Sequence, residues 1–364
     1  MSHELIFTIG FLAFIAFVLA LDLGMLGKKK ETVSLKQAGI MSFIFVSFAV
    51  AFYFILLSYG DYLHTIDSMD RLQEVIQKHH HPVKIVPDNL ERSIELYNQN
   101  LAVEFFTGYV VEYALSVDNI FVILLIFSSF SVDPRNYHRV LFWGILGAIV
   151  MRFVFIFVGA ALISRFDWIL YIFGAFLVYS GVKMYLDRNN KEQIDTREHP
   201  VVKFANKHFR VYQNFVGERF WVKKNGVLMM TPLFLVLIIV EFTDLIFAVD
   251  SIPAIFSVTK DPYIVFFSNI FAILGLRSMF FLLAGVVEKL RYLKVGLAVL
   301  LIFIGLKMLF HHYLDGIGFK TTDSLLIILG ILGISIIASL LNPVKVVKDK
   351  NLNFNPDKED NTMK

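Results

Sequence analysis

An all-α polytopic membrane protein, with about nine transmembrane helices and two inverted-topology three-helix repeats, is the fold class that three features of the sequence predict. Composition is the first: 57% of the 364 residues are hydrophobic, 38 are phenylalanine and 18% are charged, against about 25% charged in ordinary soluble domains. The second is a series of nine apolar runs close to the roughly 20 residues that a helix needs to cross a hydrocarbon core of about 30 Å. The third is self-similarity between two stretches of the chain. A mean hydropathy of +0.65 makes the lipid bilayer the first partner. The net charge of +3 is too small to point to nucleic acid. With no cysteine, disulfides, thiolate metal sites and thiol redox chemistry by this chain are excluded.

The runs cover residues 5–26, 40–57, 101–130, 140–163, 168–186, 228–258, 263–287, 293–310 and 325–341. The third and sixth exceed a perpendicular span and should tilt, break or extend into the interface. The first is not a signal peptide, because Met1-Ser2-His3-Glu4 lacks the basic n-region and the cluster Lys28-Lys29-Lys30 follows the run instead. Placing that cluster inside puts 23 of the 34 Lys and Arg residues in inner segments and seven in outer ones. The positive-inside bias therefore predicts an inner or plasma membrane protein with its N-terminus outside and its C-terminus cytoplasmic.

The predicted organisation is two N-terminal spans (1–60), an extracytoplasmic loop (61–100), a first three-helix repeat (101–186), a cytoplasmic loop (187–226), a second repeat (227–311), and a last span with its tail (312–364). Neither loop is long enough for a substantial core of its own. The repeat rests on three ordered matches. Glu112-x5-Asp118-Asn119-Ile120 aligns with Asp244-x5-Asp250-Ser251-Ile252 at an offset of 132, Arg152 with Arg277 at 125, and Gly181-Val182-Lys183-Met184 with Gly305-Leu306-Lys307-Met308 at 124. Three spans per copy is odd, so the second copy enters the membrane from the opposite side, as in secondary transporters with midplane sites.

Five carboxylates lie in the lead helices of the repeats: Glu112 and Asp118 in one, Glu241, Asp244 and Asp250 in the other. Each ionised group costs about 2.5–3.5 kcal/mol at the bilayer centre even on the lenient insertion scale, so they must face one another, water, protons or a cation. Arg152 and Arg277 read as counter-ions. Five negatives against two positives leave three uncompensated, room for a divalent cation and about one proton. Residues six apart point to different faces of an ideal helix and lie about 9 Å apart along it, so convergence requires interrupted helices. Pro253 supplies the expected break and frees the Val249 carbonyl. Asn119 and Ser251 would add neutral oxygens. An oxygen-rich set suits Mg²⁺, Ca²⁺ or Mn²⁺ over soft metals. The opposed copies place Asp118 and Asp250 centrally, Glu112 in the outer half and Asp244 in the inner half. Lys183 and Lys307 read as snorkelling residues, Asp22 as interfacial, and His79-His80-His81 as a solvated loop run with metal capture as the minority reading.

The segments Val111-Glu112-Tyr113-Ala114-Leu115-Ser116-Val117-Asp118-Asn119 and Val240-Glu241-Phe242-Thr243-Asp244, continued through Asp250-Ser251-Ile252-Pro253-Ala254, resemble the signatures of the TerC family of integral membrane proteins. The likeness extends through Phe166-Asp167-Trp168, Lys224-Asn225-Gly226 and Gly275-Leu276-Arg277. It implies Mn²⁺ export with Glu112, Asp118, Glu241, Asp244 and Asp250 as the ion path, Mn²⁺ being substrate and no cofactor being required. It also implies exported metalloenzymes as recipients of the metal. The outer segment 61–100 looks longer than in that family. Alternatives to a proton-coupled Mn²⁺ exporter are a Ca²⁺ or other divalent cation/proton antiporter and a membrane-assembly partner that metallates exported proteins. An intramembrane aspartyl enzyme is disfavoured, because Val117 and Val249 stand where Tyr-Asp and Gly-x-Gly-Asp signatures need other residues; no enzymatic activity is expected.

Overall fold

A computed structural model describes residues 3–26, 34–166, 168–187, 210–224, 226–284 and 292–342. It is a helical bundle with one short hairpin. The helices are α1 (His3–Leu26), α2 (Leu35–Tyr59), α3 (Met69–His79), α4 (Leu90–Ser129), α5 (Tyr137–Arg165) and α6 (Ile169–Asp187). A hairpin of β1 (Trp221–Lys224) and β2 (Val227–Met230) follows, then α7 (Pro232–Phe256), α8 (Pro262–Ala284), α9 (Leu293–Leu309), α10 (His311–Gly316) and α11 (Thr321–Leu341). Among the described residues seven helices are long and apolar enough to cross a membrane. Of the two remaining expected runs, the first lies within the 24-residue α1 and the eighth within the 17-residue α9.

Local chemistry sets the helix starts. Ser34 and Gln37 form a reciprocal capping box at α2. Asn89 caps α4 through a 2.9 Å bond from the Arg92 amide. Thr231 caps α7, with Pro232 in the first turn where no amide is needed. Two boundaries differ from expectation. The cap at Asn89 starts α4 eleven residues before the apolar run, so its 40 residues extend about 60 Å, twice the hydrocarbon thickness. Residues 228–230, expected to open the sixth span, lie instead in β2 and pair with β1. The turn of that hairpin includes Gly226 at φ +79°, a left-handed conformation that glycine adopts without strain.

The loops sort to two ends of the bundle. At one end His64 contacts Asp261, His81 and Thr259 contact Glu104, and Tyr171 packs on His311. At the other, Asn136 bonds the Gly217 carbonyl and the Tyr292 amide bonds Ser339. The lead helices α4 and α7 are therefore antiparallel. Between them α8 is the core helix, with 94% of its apolar window buried. Its Phe266, Phe267 and Phe271 stack with Phe11 and Phe52 from α1 and α2.

Helices α6 and α9 cross antiparallel at glycine. A Cβ on Gly174 would lie 3.0 Å from the Gly305 carbonyl oxygen, and one on Gly305 would lie 2.7 Å from that of Gly174. A Cβ on Gly181 would lie 2.7 Å from the Ala298 oxygen. At the offset of 124 the counterpart of Gly174 is Ala298 and that of Gly181 is Gly305. Residue 174 thus meets the counterpart of 181, and 181 meets the counterpart of 174. Reciprocal contact of this kind is what a two-fold axis between the helices produces.

The expected helix break is absent. α7 runs without interruption from Pro232 to Phe256, with Pro253 inside it. Proline removes its own amide bond to the carbonyl four residues earlier and crowds that carbonyl. Three residues from the end of α7 that loss has almost no helix left to bend, and the Ser257 amide bonds the Pro253 carbonyl at 3.1 Å.

Candidate functional site

The side chain that organises the bundle interior is Arg152 of α5, 1% exposed. Its Nη1 donates to Glu112 of α4 and, at 3.1 Å, to Asn269 Oδ1 of α8. Nη2 reaches Asp244 Oδ1 of α7 at 3.1 Å and Nε reaches Oδ2 at 3.4 Å. That is the two-pronged geometry that arginine forms with a carboxylate. The guanidinium is shared by two carboxylates that the internal alignment makes equivalent. One positive charge against two leaves the site electronegative, and its polar atoms are incompletely matched. Glu112 Oε2 and Asn269 Nδ2 are buried without a hydrogen-bond partner among the described residues, at a cost of about 1–3 kcal/mol for each such group.

Glu241 lies almost one turn before Asp244 and lines the same small cavity of about 20 Å³ with Gly144, Ala148 and Val240. Its carboxylate fills the space where a side chain at Gly147 would start. Asp250 Oδ1 accepts from Ser180 Oγ of α6 at 3.1 Å. Asp118 stands on α4, partly buried.

The depth order differs from the one expected. Glu112 and Asp244 meet on Arg152, so they share a level. Asp118 lies about 9 Å further along α4 and Asp250 about 9 Å further along α7. Because those helices are antiparallel, the two aspartates flank the arginine from opposite ends. Unbroken helices are the cause, since residues six apart cannot reach one point. The carboxylates form a ladder and not a single cage. Asn119 and Ser251, both buried, stand about 10 Å along their helices from Glu112 and Asp244, beyond any common coordination shell. Arg277 is buried on α8 and engaged there. Asp22 falls where side chains lie outside the described residues.

A second polar cluster occupies the end of the bundle formed by the 61–81 segment. His79 and His81 are 7% and 5% exposed, which corrects the reading of a solvated histidine run. His80 adopts a left-handed conformation (φ 56°) at the end of α3, turning the chain so that its neighbours point inward while it stays outside. His64 Nε2 is 2.8 Å from Asp261 Oδ2. His81 Nδ1 is 3.0 Å from Glu104, which also accepts from Asn100 Nδ2 at 2.7 Å and Thr259 Oγ1 at 2.6 Å. Burial pushes the His79 imidazole down to about 4. Burial also pulls at His81, but Glu104 and Asp261 outweigh it and the net shift is upward. Burial would raise Asp261, yet His64, His79 and His81 hold its carboxyl well below the usual carboxylate range.

The sequence reading missed Gly147, Asn269 and Ser180 in the interior and His64, Glu104 and Asp261 at the bundle end. Asn269 and Glu104 carried a usable signal, being polar residues inside apolar runs.

Comparison with known proteins adds a decisive match. Residues 97–346 fit the model of the integral membrane protein TerC family. The chain belongs to the TerC family. It is 42% identical over 332 residues to an uncharacterized membrane protein of Myxococcus xanthus, covering 91% of each chain. It is 45% identical over 307 residues to the Escherichia coli (strain K12) protein Alx, whose name calls it a membrane-bound redox modulator, covering 83% of this chain and 86% of Alx. A Rickettsia felis membrane protein is 38% identical over 333 residues, covering 91% and 96%. No solved structure matches.

Proposed function

We propose that this TerC-family protein exports Mn²⁺ from the cytoplasm in exchange for protons, through the carboxylate ladder centred on Arg152. The observation that carries the reading is the convergence of Glu112 and its repeat counterpart Asp244 on one arginine, with the counterparts Asp118 and Asp250 flanking it from opposite ends. A site built this way is approached similarly from either side, as alternating access by two inverted repeats requires. The reciprocal crossing of α6 and α9 supports the same two-fold relation.

The charge balance supplies a mechanism. Glu112, Asp244 and Glu241 carry three negatives against the one positive of Arg152, a deficit that one divalent cation cancels. Without the cation, protons can occupy the same oxygens, which couples metal movement to proton movement. An arriving cation competes with the guanidinium for the Asp244 and Glu112 oxygens and leaves by way of the flanking aspartate on the far side. Carboxylates and an amide suit Mn²⁺, Mg²⁺ or Ca²⁺; manganese among them is implied by the family resemblance. With no cysteine, this chain has no thiols of its own through which to exert a redox influence.

The test is flux through purified protein. Proteoliposomes with an imposed pH gradient and a Mn²⁺-responsive dye should show transport by the wild type. Asp118→Asn, Asp250→Asn and Asp244→Asn should each reduce it at least about tenfold, the equivalent of roughly 1.4 kcal/mol. Excess Ca²⁺ or Mg²⁺ should compete weakly. Absence of wild-type flux, or full flux in all three variants, would refute the reading.

A further inference from the structure

The geometry points to a second metal site, of different chemistry, at the end of the bundle: His64, His79, His81 and Asp261 form a closed site for one transition ion of the Zn²⁺ class. It does not depend on the transport reading, because it uses none of the same residues and its nitrogen-rich set favours a different kind of ion.

The ligand atoms of His64, His79 and Asp261 all lie within 4.8 Å of one another, and all three residues are buried. The fourth candidate, His81 Nε2, is 3.9 Å from Asp261 Oδ2. A tetrahedral ion with bonds of about 2.0–2.1 Å separates its ligands by roughly 3.3 Å, so small side-chain shifts would close the set. The local chain is built to present these groups. The short 3₁₀ turn Gly60–Leu63 delivers His64. The left-handed residue at His80 aims both of its neighbours inward. Asp261 is fixed just ahead of α8, where its Oδ1 accepts from the Tyr263 amide at 3.0 Å.

The independent sign of a ligand is an unmatched nitrogen. Glu104 accepts from Asn100, Thr259 and His81, which uses its oxygens as an ionised acceptor and sets the proton of His81 on Nδ1. That leaves Nε2 of His81 buried, facing the Asp261 carboxylate, with no hydrogen bond among the described residues. The 3.9 Å between this nitrogen and Asp261 Oδ2 is too long for a direct hydrogen bond, and a cation placed between them would take both as ligands. Tyr97, whose ring packs edgewise with His81 at 5.4 Å, also has a buried hydroxyl without a partner among the described residues. Glu104–His81 then has the form of the carboxylate–histidine pair that orients metal ligands from behind. Access is available, because His79 lines a cavity of about 290 Å³ with Lys78, Phe157, Lys260 and Pro262.

Such an ion would be a clamp. Its ligands come from the 61–81 segment and from the link between α7 and α8, so it would tie the added outer segment to the second repeat.

Cobalt spectroscopy separates this site from the carboxylate ladder. Metal-stripped full-length protein in detergent, with any purification tag removed, is titrated with Co²⁺. Four-coordinate, nitrogen-rich Co²⁺ gives intense visible bands, whereas six-coordinate Co²⁺ on oxygens gives weak ones. The expected result is an intense band saturating near one Co²⁺ per chain, displaced by one equivalent of Zn²⁺. It should be retained in Asp244→Asn and lost in the His79→Gln/His81→Gln double variant. X-ray absorption of the wild-type Zn²⁺ form should show imidazole scattering from three histidines, a readout that stands if the double variant misfolds. A wild type without an intense band, a band that survives the double variant, or a wild-type zinc shell without imidazoles would overturn the proposal. Loss of Mn²⁺ flux in Asp244→Asn with the cobalt band intact would leave it standing.

Discussion

Replacing Arg152 with methionine should destabilise the purified protein by about 3–5 kcal/mol, the range for removing one partner of a buried ion pair. The residue is 1% exposed and holds Glu112, Asp244 and Asn269 at once. Its loss strands two carboxylates, Glu112 fully buried and Asp244 with only 14% of its side chain exposed, and no other described hydrogen-bond donor reaches either. The cost comes from the stranded charges and not from missing packing, which gives a check. Adding Glu112→Gln and Asp244→Asn to Arg152→Met should restore much of the stability while leaving transport absent. Denaturant or thermal unfolding in micelles measures both. If Arg152→Met alone unfolds like the wild type, the arginine is not the counter-ion described here.

The second large effect is expected where α6 meets α9. Gly305→Ala puts a methyl group 2.7 Å from the Gly174 carbonyl oxygen and 2.8 Å from the Val178 amide nitrogen. These are backbone atoms that cannot swing away, so the helices must separate. Overpacking of this kind costs about 1–3 kcal/mol. Gly181→Ala meets the Ala298 oxygen and the Ile302 amide in the same way. Once one methyl group has forced the helices apart the second finds room, so the double variant should cost less than the sum of the two. Gly330→Ala, with nothing within 4 Å, is the control and should be near neutral. Additive effects would mean that the two glycines do not share one crossing.

The fold class was legible because lipid imposes a simple rule: apolar runs of the right length become helices. Family membership was legible for a similar reason, since the acidic motifs inside those runs are too costly to occur by chance. Helix ends were less so. The start of α4 is set by Asn89, a polar cap outside the apolar signal, and β2 reads as apolar as any span. The site was half legible. The five carboxylates and both arginines stand out in the sequence, but their depth does not, because Pro253 reads as a helix break. A proline so near a helix end changes little, and once the helices stay whole the pair that meets is Glu112 and Asp244. Gly147 carried no signal, since its role is only to leave space for Glu241. The histidine cluster depended on one backbone conformation at His80, which no composition or period records.

The most direct test of the central claim is binding of Mn²⁺ by electron paramagnetic resonance, because free Mn²⁺ has a sharp six-line spectrum that broadens on coordination. Metal-free protein carrying His79→Gln and His81→Gln removes the histidine cluster from the count. That protein should still bind Mn²⁺ through oxygen ligands, and adding Asp244→Asn or Glu112→Gln should weaken this binding at least about tenfold, or roughly 1.4 kcal/mol. Undiminished Mn²⁺ affinity in both neutralised variants would contradict the claim that the carboxylates gathered around Arg152 hold the cation.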